Sequence, residues 1–431
     1  MLGIWGVVTI VVLLILVIKK LVSPVVALVL VPIVTGLLAG FGSELADFIG
    51  TGLKDIAPTG VMFIFAILFF GILLDAGTFA PIIKSLLKFA GNSPIKIAIS
   101  TALLAMLIHL DGSGAVTFLV VIPAMLPIYE AMGMRRTTLA TIVALAAGTM
   151  NILPWGGPTL RAATALGVPV TQLFNPILIP VLAGLSAVLC IAYWLGKKEA
   201  ERLSQFPKET PLSDISAPET AISGLNQFRF LLNILMILVS ITALIAGWAP
   251  PYVVFMVAFA MALLLNYPGV DEQKQRIDAH AKEAMLMASI LFAAGCFTGI
   301  LKGSGMITAM AASIESIVPP QIGGQLPLIT GLLAMPASLL FDPDSFYFGI
   351  LPLLTGIGSN FGVEAVEIGR TAIMGQMTTG FAVSPLTGST FLLIGLARVD
   401  LGAHQLKTIP LAYLVSLVIL FVSILLGITT V

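Results

Sequence analysis

The sequence predicts an all-α polytopic membrane protein made of two inverted-topology repeats, each with five transmembrane helices, a re-entrant hairpin and a broken helix. Its 431 residues are 58% hydrophobic and only 10% charged, whereas a soluble domain carries roughly a quarter charged residues. Two motifs recur in the two halves at one spacing, and each half contains a hydrophobic segment that stops at an acidic turn and resumes. The 21 Lys and Arg balance the 21 Asp and Glu, so no basic excess exists to hold phosphates and nucleic acid is excluded as a main partner. Cys190 and Cys296 both lie in apolar stretches and read as packing residues, not as a disulfide or metal pair.

Uncharged runs at 2–18, 21–42, 57–74, 173–196 and 408–431 come near the length of about 20 residues that a spanning helix needs. The first has no positive region before it, so it reads as a retained span with the N-terminus outside and not as a signal peptide. Positive residues concentrate in cytoplasmic loops. With ten full crossings and two hairpins, every Lys and Arg except Lys54, Lys302, Arg370 and the membrane-depth Arg161 falls on one side; twelve simple spans scatter them. The polar stretch 197–228 is a cytoplasmic linker between a first repeat, 1–196, and a second, 229–431.

The repetition is specific. Gly148, Met150 and Pro158 recur as Gly375, Met377 and Pro385, 227 residues on, and Gly-Ile-Leu-Leu-Asp-Ala-Gly from Gly71 is echoed by Gly-Ile-Leu-Lys-Gly-Ser-Gly from Gly299, 228 residues on. Between these markers lie the hairpins, expected at 95–131 and 325–360. Their arms of about 11 to 15 residues are too short to cross but long enough to reach the middle and return. Broken helices follow at 137–167 and 368–398. Five crossings per half make the two hairpins enter from opposite faces.

Irregular backbone at membrane depth survives only where it lines a cavity or is buried in protein. Four such breaks converge: the tip His109-Leu-Asp111-Gly112-Ser113-Gly114, the tip Asp342-Pro343-Asp344-Ser345, and the Pro/Gly breaks at 151–159 and 380–388. Each starts a half-helix whose free N–H groups and dipole suit an anion, so a carboxylate ligand is expected. Asp111 opens the first returning half-helix, and Asp342 followed by Pro343 is an N-cap signal. Asp111, Asp342, Asp344 and His109 are candidates for a metal or proton role, because an ionised group at this depth needs a cation or a proton. Arg161 can grip a carboxylate in two places or pair with Asp111 or Asp342. Gly112, Ser113, Gly114, Asn151, Gly156, Gly157, Pro158, Thr159, Ser345, Thr378, Ser384, Pro385, Thr387 and Gly388 complete the candidate substrate site, with Asp111 and Arg161. No zinc-type histidine pair or phosphate-cradling loop occurs, so the chain reads as no enzyme, with no permanently bound cofactor and an ion gradient as its energy source.

Leu110-Asp-Gly-Ser-Gly114, Met150-Asn-Ile-Leu-Pro-Trp-Gly-Gly-Pro-Thr-Leu-Arg161, Ser384-Pro-Leu-Thr-Gly388 and Val399-Asp-Leu-Gly402 resemble the bacterial citrate-divalent metal:proton symporter family (CitMHS) of the ion transporter superfamily, nearly end to end. The resemblance implies proton-driven symport of citrate complexed with a divalent metal ion across the cytoplasmic membrane, by a homodimer whose transport domain moves like an elevator. Citrate wraps a hard cation largely with its own oxygens, so the protein need supply few ligands. The family pattern has a second acidic residue at the first tip, where this sequence has Ser113, which bears on metal choice. The rival readings are a metal-independent di- or tricarboxylate or gluconate permease and a cation:proton antiporter. Hairpins entering from both faces suit alternating access better than a channel.

Overall fold

The structure, a computed structural model, describes residues 2–19, 21–204, 226–315 and 323–430, and all regular structure among them is helical. Lys20, Lys208 and most of the expected linker lie outside the described residues. The helices of the first half are α1 (Leu2–Ile18), α2 (Pro24–Leu38), α3 (Leu45–Asp75), α4 (Ala80–Ala90), α5 (Pro94–Ile108), α6 (Gly114–Ala131), α7 (Arg136–Met150), α8 (Gly157–Leu166) and α9 (Val170–Ser204). Those of the second half are α10 (Gln227–Ala246), α11 (Pro251–Asn266), α12 (Val270–Gly303), α13 (Met306–Glu315), α14 (Leu326–Ala337), α15 (Leu351–Asn360), α16 (Ala365–Ile373), α17 (Gly388–Ala397) and α18 (Leu401–Leu425).

Among the described residues seven helical segments are long and apolar enough to cross a bilayer: Leu45–Asp75, Pro94–Asp111, Gly114–Ala131, Val170–Ser204, Gln227–Ala246, Ala284–Gly303 and Leu401–Leu425. Two corrections follow. The arms of the first hairpin are longer than the sequence pattern suggested: α5 with its terminal turn and α6 each run 18 residues, so length alone does not prevent them from crossing. The extra length lies at the outer ends, where helix continues through Pro94–Lys96 and on to Ala131, and at the tip, where His109–Asp111 form a further helical turn. Likewise α3 begins at Leu45 and not at residue 57, since a helix persists beyond its apolar stretch, here carrying exposed Lys54 and Asp55.

α3 and α12 pack along each other through small residues. A Cβ on Gly52 would stand 2.0 Å from the Gly295 carbonyl oxygen, and one on Gly299 would stand 2.3 Å from that of Phe48. Only glycine allows this approach, the usual way apolar helices associate where water gives no hydrophobic drive. α10 and α11 join this group, fastened by two amide hydrogen bonds of 3.0 Å between Asn233 and Asn266. The other group surrounds α7, buried from Thr138 to Met150, with α5, α6, α9, α17 and α18 around it. α16 packs on α9 and carries α14 and α15, while α8 touches α3 and α12 of the first group and α9 and α16 on the other side. The site lies between the groups. Cys296 is buried as expected; Cys190 is exposed on α9, so it is not a packing residue.

Candidate functional site

The first tip is built by α5 closing into a tight turn, His109–Asp111, followed by Gly112 at φ +76°. That left-handed backbone favours glycine, and Trp155 stands 3.3 Å from where a Cβ would be. Ser113, and not Asp111, caps α6, by accepting from the Val116 N–H at 3.4 Å; Asp111 instead accepts from the Ser113 N–H at 2.7 Å. A short side chain three residues before Val116 reaches that donor, whereas Asp111 is two residues too early. Thr117 donates to the Ser113 carbonyl at 2.8 Å, so its oxygen accepts from His109 Nδ1–H at 2.9 Å. This assigns the proton to Nδ1 and leaves Nε2 buried, with no hydrogen-bond partner among the described residues.

At the second tip Asp342 acts as the expected cap. Its Oδ1 accepts from the N–H groups of Asp344 and Ser345, both at 3.0 Å, and its Oδ2 accepts from the Ser345 hydroxyl at 2.6 Å. Asp344 is thereby free of capping duty. Its Oδ1 accepts from Arg161 Nε at 2.7 Å, with the two side chains 8% and 10% exposed. Arg161 thus pairs with Asp344, and the sequence alone could not say which acid faces it. The Arg161 Nη groups have no hydrogen-bond partner among the described residues, and the side chain lines the cavity described below.

The two broken helices meet at their breaks. Asn151 donates to the Met377 carbonyl at 2.9 Å, and a Cβ on Gly148 would stand 2.5 Å from the Thr378 carbonyl oxygen. Met377 holds φ +53°, its N–H donating to Ser338 Oγ at 2.8 Å. Trp155 donates to the Leu110 carbonyl at 2.7 Å and stacks on Phe70, locking the first break to the first tip.

These pieces enclose a cavity of about 770 Å³, within the range of small-molecule sites. Of the residues the sequence singled out, Gly112, Ser113, Gly114, Asn151, Gly157, Pro158, Arg161, Asp342, Asp344, Thr387 and Gly388 line it. Asp111, His109, Gly156, Thr159, Ser345, Thr378, Ser384 and Pro385 do not. Thr159 donates to the Ile152 carbonyl, Ser345 to Asp342 and Ser384 to the Ser338 carbonyl, so their hydroxyls hold the breaks and tip together. The walls not anticipated are Val17, Leu21 and Val22 at the α1–α2 turn, Phe63 and Ile67 of α3, Met287 of α12, and Met377, Phe381 and Leu386 at the second break. Apolar residues in a membrane chain carry no signal that separates a cavity wall from a lipid-facing surface.

The starting residues of all four returning segments face this space: Gly114 of α6, Pro343 with Asp344, Gly157 with Pro158 of α8, and Gly388 with Ser389 of α17. α8 and α17 begin without a side-chain cap, which leaves backbone N–H groups available to an anion. Together with Arg161 the arrangement can hold carboxylates from several directions, while Asp342 and Asp344 offer oxygens to a cation.

The profile of the citrate transporter family, CitMHS, matches residues 7–375. The chain is 44% identical over 429 residues to the citrate transporter of Bacillus subtilis (strain 168), covering 99% of both chains. It is 39% identical over 432 residues to the Mg(2+)/citrate complex secondary transporter of the same organism, again covering 99% of both. Its fold is shared with the YdaH transporter of Alcanivorax borkumensis, at a TM-score of 0.62 and 15% identity over 90% of this chain and 88% of that one. The Neisseria gonorrhoeae MtrF structure matches at 0.61 and 13% identity, over 89% and 84%. This is a multi-pass membrane transport protein and not an enzyme, and the chain belongs to the CitMHS citrate transporter family.

Proposed function

We propose that the protein carries citrate complexed with a divalent metal ion across the cytoplasmic membrane in symport with protons. The observation that carries this reading is the single cavity lined by both tips, both breaks and Arg161. Four helix starts and one guanidinium suit a ligand with several carboxylates. Among the described residues the ionisable side chains lining the cavity are one Arg and two Asp, so a bare citrate trianion meets net negative charge from them. A divalent cation bound to citrate offsets this repulsion. Among the described residues no three His, Cys, Asp or Glu side chains gather as a metal group, and a metal in this cavity takes most of its oxygens from citrate, with Asp342 completing the set.

Proton coupling follows from the Arg161–Asp344 pair. Protonating Asp344 removes the counter-charge of Arg161 and releases the guanidinium to a citrate carboxylate; losing the proton restores the pair and expels the substrate. Gly112, Ser113, Gly114, Asn151, Gly157, Pro158, Thr387 and Gly388 contact substrate, and Asp111, His109, Gly156, Thr159, Ser345, Thr378, Ser384 and Pro385 support them. The two halves are inverted repeats, 1–196 and 229–431 about the 197–228 linker, with the N-terminus outside. The group around α7 moves as an elevator against the group of α3 and α12, in a homodimer. The relative named as a Mg(2+)/citrate complex transporter supports the metal-bound substrate.

The test is uptake of labelled citrate into proteoliposomes under an inward proton gradient, with Mg, Ca, Mn, Zn or Fe(III) added singly and with chelator. Uptake that needs a metal and collapses with the gradient supports the proposal; uptake indifferent to chelation replaces it with a metal-independent permease. A cation:proton antiporter predicts no citrate dependence, and Arg161 in the cavity disfavours it.

A further inference from the structure

A second cavity, of about 480 Å³, opens where the first turn of α7, the last turns of α9 and the first turns of α18 meet. α7 is 15 residues long, so this cavity is about 22 Å from the first break and separate from the central site. Four cations line it, Arg135, Lys198, Arg202 and Lys407, against one carboxylate, Glu199. Glu199 is already saturated. Its Oε1 accepts from Thr138 at 2.7 Å, and its Oε2 accepts from Arg202 at 2.8 and 3.0 Å and from the Arg135 backbone N–H at 3.4 Å. Lys407 donates to Thr138 Oγ1 at 2.6 Å. Among the described residues, four positive groups around one negative leave a net charge of three in a concave space.

A general excess of cations on one face does not require them to converge on a cavity, nor to be walled as this one is. Trp194, Leu195, Pro410 and Leu411 form its apolar side, and Lys198 Nζ lies 3.8 Å from the Trp194 ring centroid. From Trp194 an exposed stripe continues along α9 through Tyr193, Cys190, Ser186, Leu182 and Ile179, at helical spacing. Basic groups with a Trp at the edge of an apolar stripe match a lipid with its headgroup at the interface and its chains along the helix. A soluble anion would make no use of the stripe.

We propose that this cavity binds the phosphate of an anionic phospholipid headgroup, with the acyl chains lying along the exposed face of α9. Occupancy would tie α7, α9 and α18 together at the end remote from the transport site. The test uses the purified full chain in neutral detergent. Thermal unfolding and native mass spectrometry follow titration with phosphatidylglycerol, phosphatidylcholine or inorganic phosphate, for wild type, the exposed-residue double variant Arg135→Gln/Lys198→Gln, the single variant Lys198→Gln, and a control, Lys84→Gln/Lys88→Gln on α4. Phosphatidylglycerol is expected to raise the unfolding temperature of wild type and control and to remain bound in the gas phase. The double variant is expected to bind it roughly ten- to thirtyfold more weakly while unfolding normally without lipid. If the double variant is unstable, the weaker but still measurable loss in Lys198→Gln alone supports the site. Unchanged phosphatidylglycerol binding in either variant, or equal stabilisation by phosphatidylcholine, overturns the proposal. Stabilisation by inorganic phosphate alone, lost in the same variants, overturns the lipid as occupant and assigns the cavity to a soluble phosphate.

Discussion

Replacing Arg161 by alanine separates the two jobs given to this residue. It forms a 2.7 Å pair with Asp344, both side chains at most one-tenth exposed. Deleting one partner of such a pair strands the other charge and costs about 3–5 kcal/mol. Because the pair borders the central cavity, where a stranded charge is not fully enclosed by protein, the lower figure, about 3 kcal/mol, is expected. Substrate binding loses more. A bidentate grip on a carboxylate is two charge-assisted hydrogen bonds of about 1.5–3 kcal/mol each, so affinity falls by roughly two to four orders of magnitude. The double variant Arg161→Met/Asp344→Leu removes both charges and returns stability to within about 1 kcal/mol of wild type, because an apolar pair of similar volume replaces the ions. Its citrate binding stays lost. Tryptophan-fluorescence unfolding in detergent measures the first quantity and calorimetric titration with Mg-citrate the second. A folded Arg161→Ala protein with wild-type citrate affinity, or a double variant as unstable as the single, refutes the reasoning.

Gly299→Val places a side chain where the Phe48 carbonyl oxygen stands 2.3 Å from the ideal Cβ, so α3 and α12 must separate; a loss of about 1–3 kcal/mol or more is expected in thermal unfolding. Trp155→Phe keeps the stack on Phe70 but deletes the bond to the Leu110 carbonyl, destabilising by about 1–3 kcal/mol and weakening citrate binding through the first tip. Arg398 ends α17 in the left-handed region at φ +54° and is largely exposed, so Arg398→Gly is expected to raise the unfolding temperature, relieving about 1 kcal/mol of backbone strain with transport unchanged.

The breaks and tips were legible in the sequence because Gly, Pro, Asp and Arg are costly at membrane depth and persist there for a reason. Asp342 with Pro343 is the clearest case: two adjacent residues define the cap, and the structure forms it. Asp111 was misleading for a local reason, since Ser113, two residues on, reaches the donor first. The Arg161–Asp344 pair was beyond reach because 183 residues separate the partners and three acids competed for one guanidinium. Met377 was hidden because a left-handed methionine has no sequence mark of its own. The walls from Val17 to Val22 and at Phe63, Ile67 and Met287 were hidden because apolar side chains look alike whether they face a cavity, a neighbour or lipid.

Whether citrate and a divalent metal cross together on the force of a proton gradient is read by following both labels at once. Proteoliposomes containing the full chain receive citrate carrying one isotope and a divalent metal carrying another, with and without an inward proton gradient. The two are expected to accumulate in constant ratio, both to stop with chelator, and both to be lost in Arg161→Ala/Asp344→Leu. Citrate that accumulates in full while the metal stays outside contradicts joint transport.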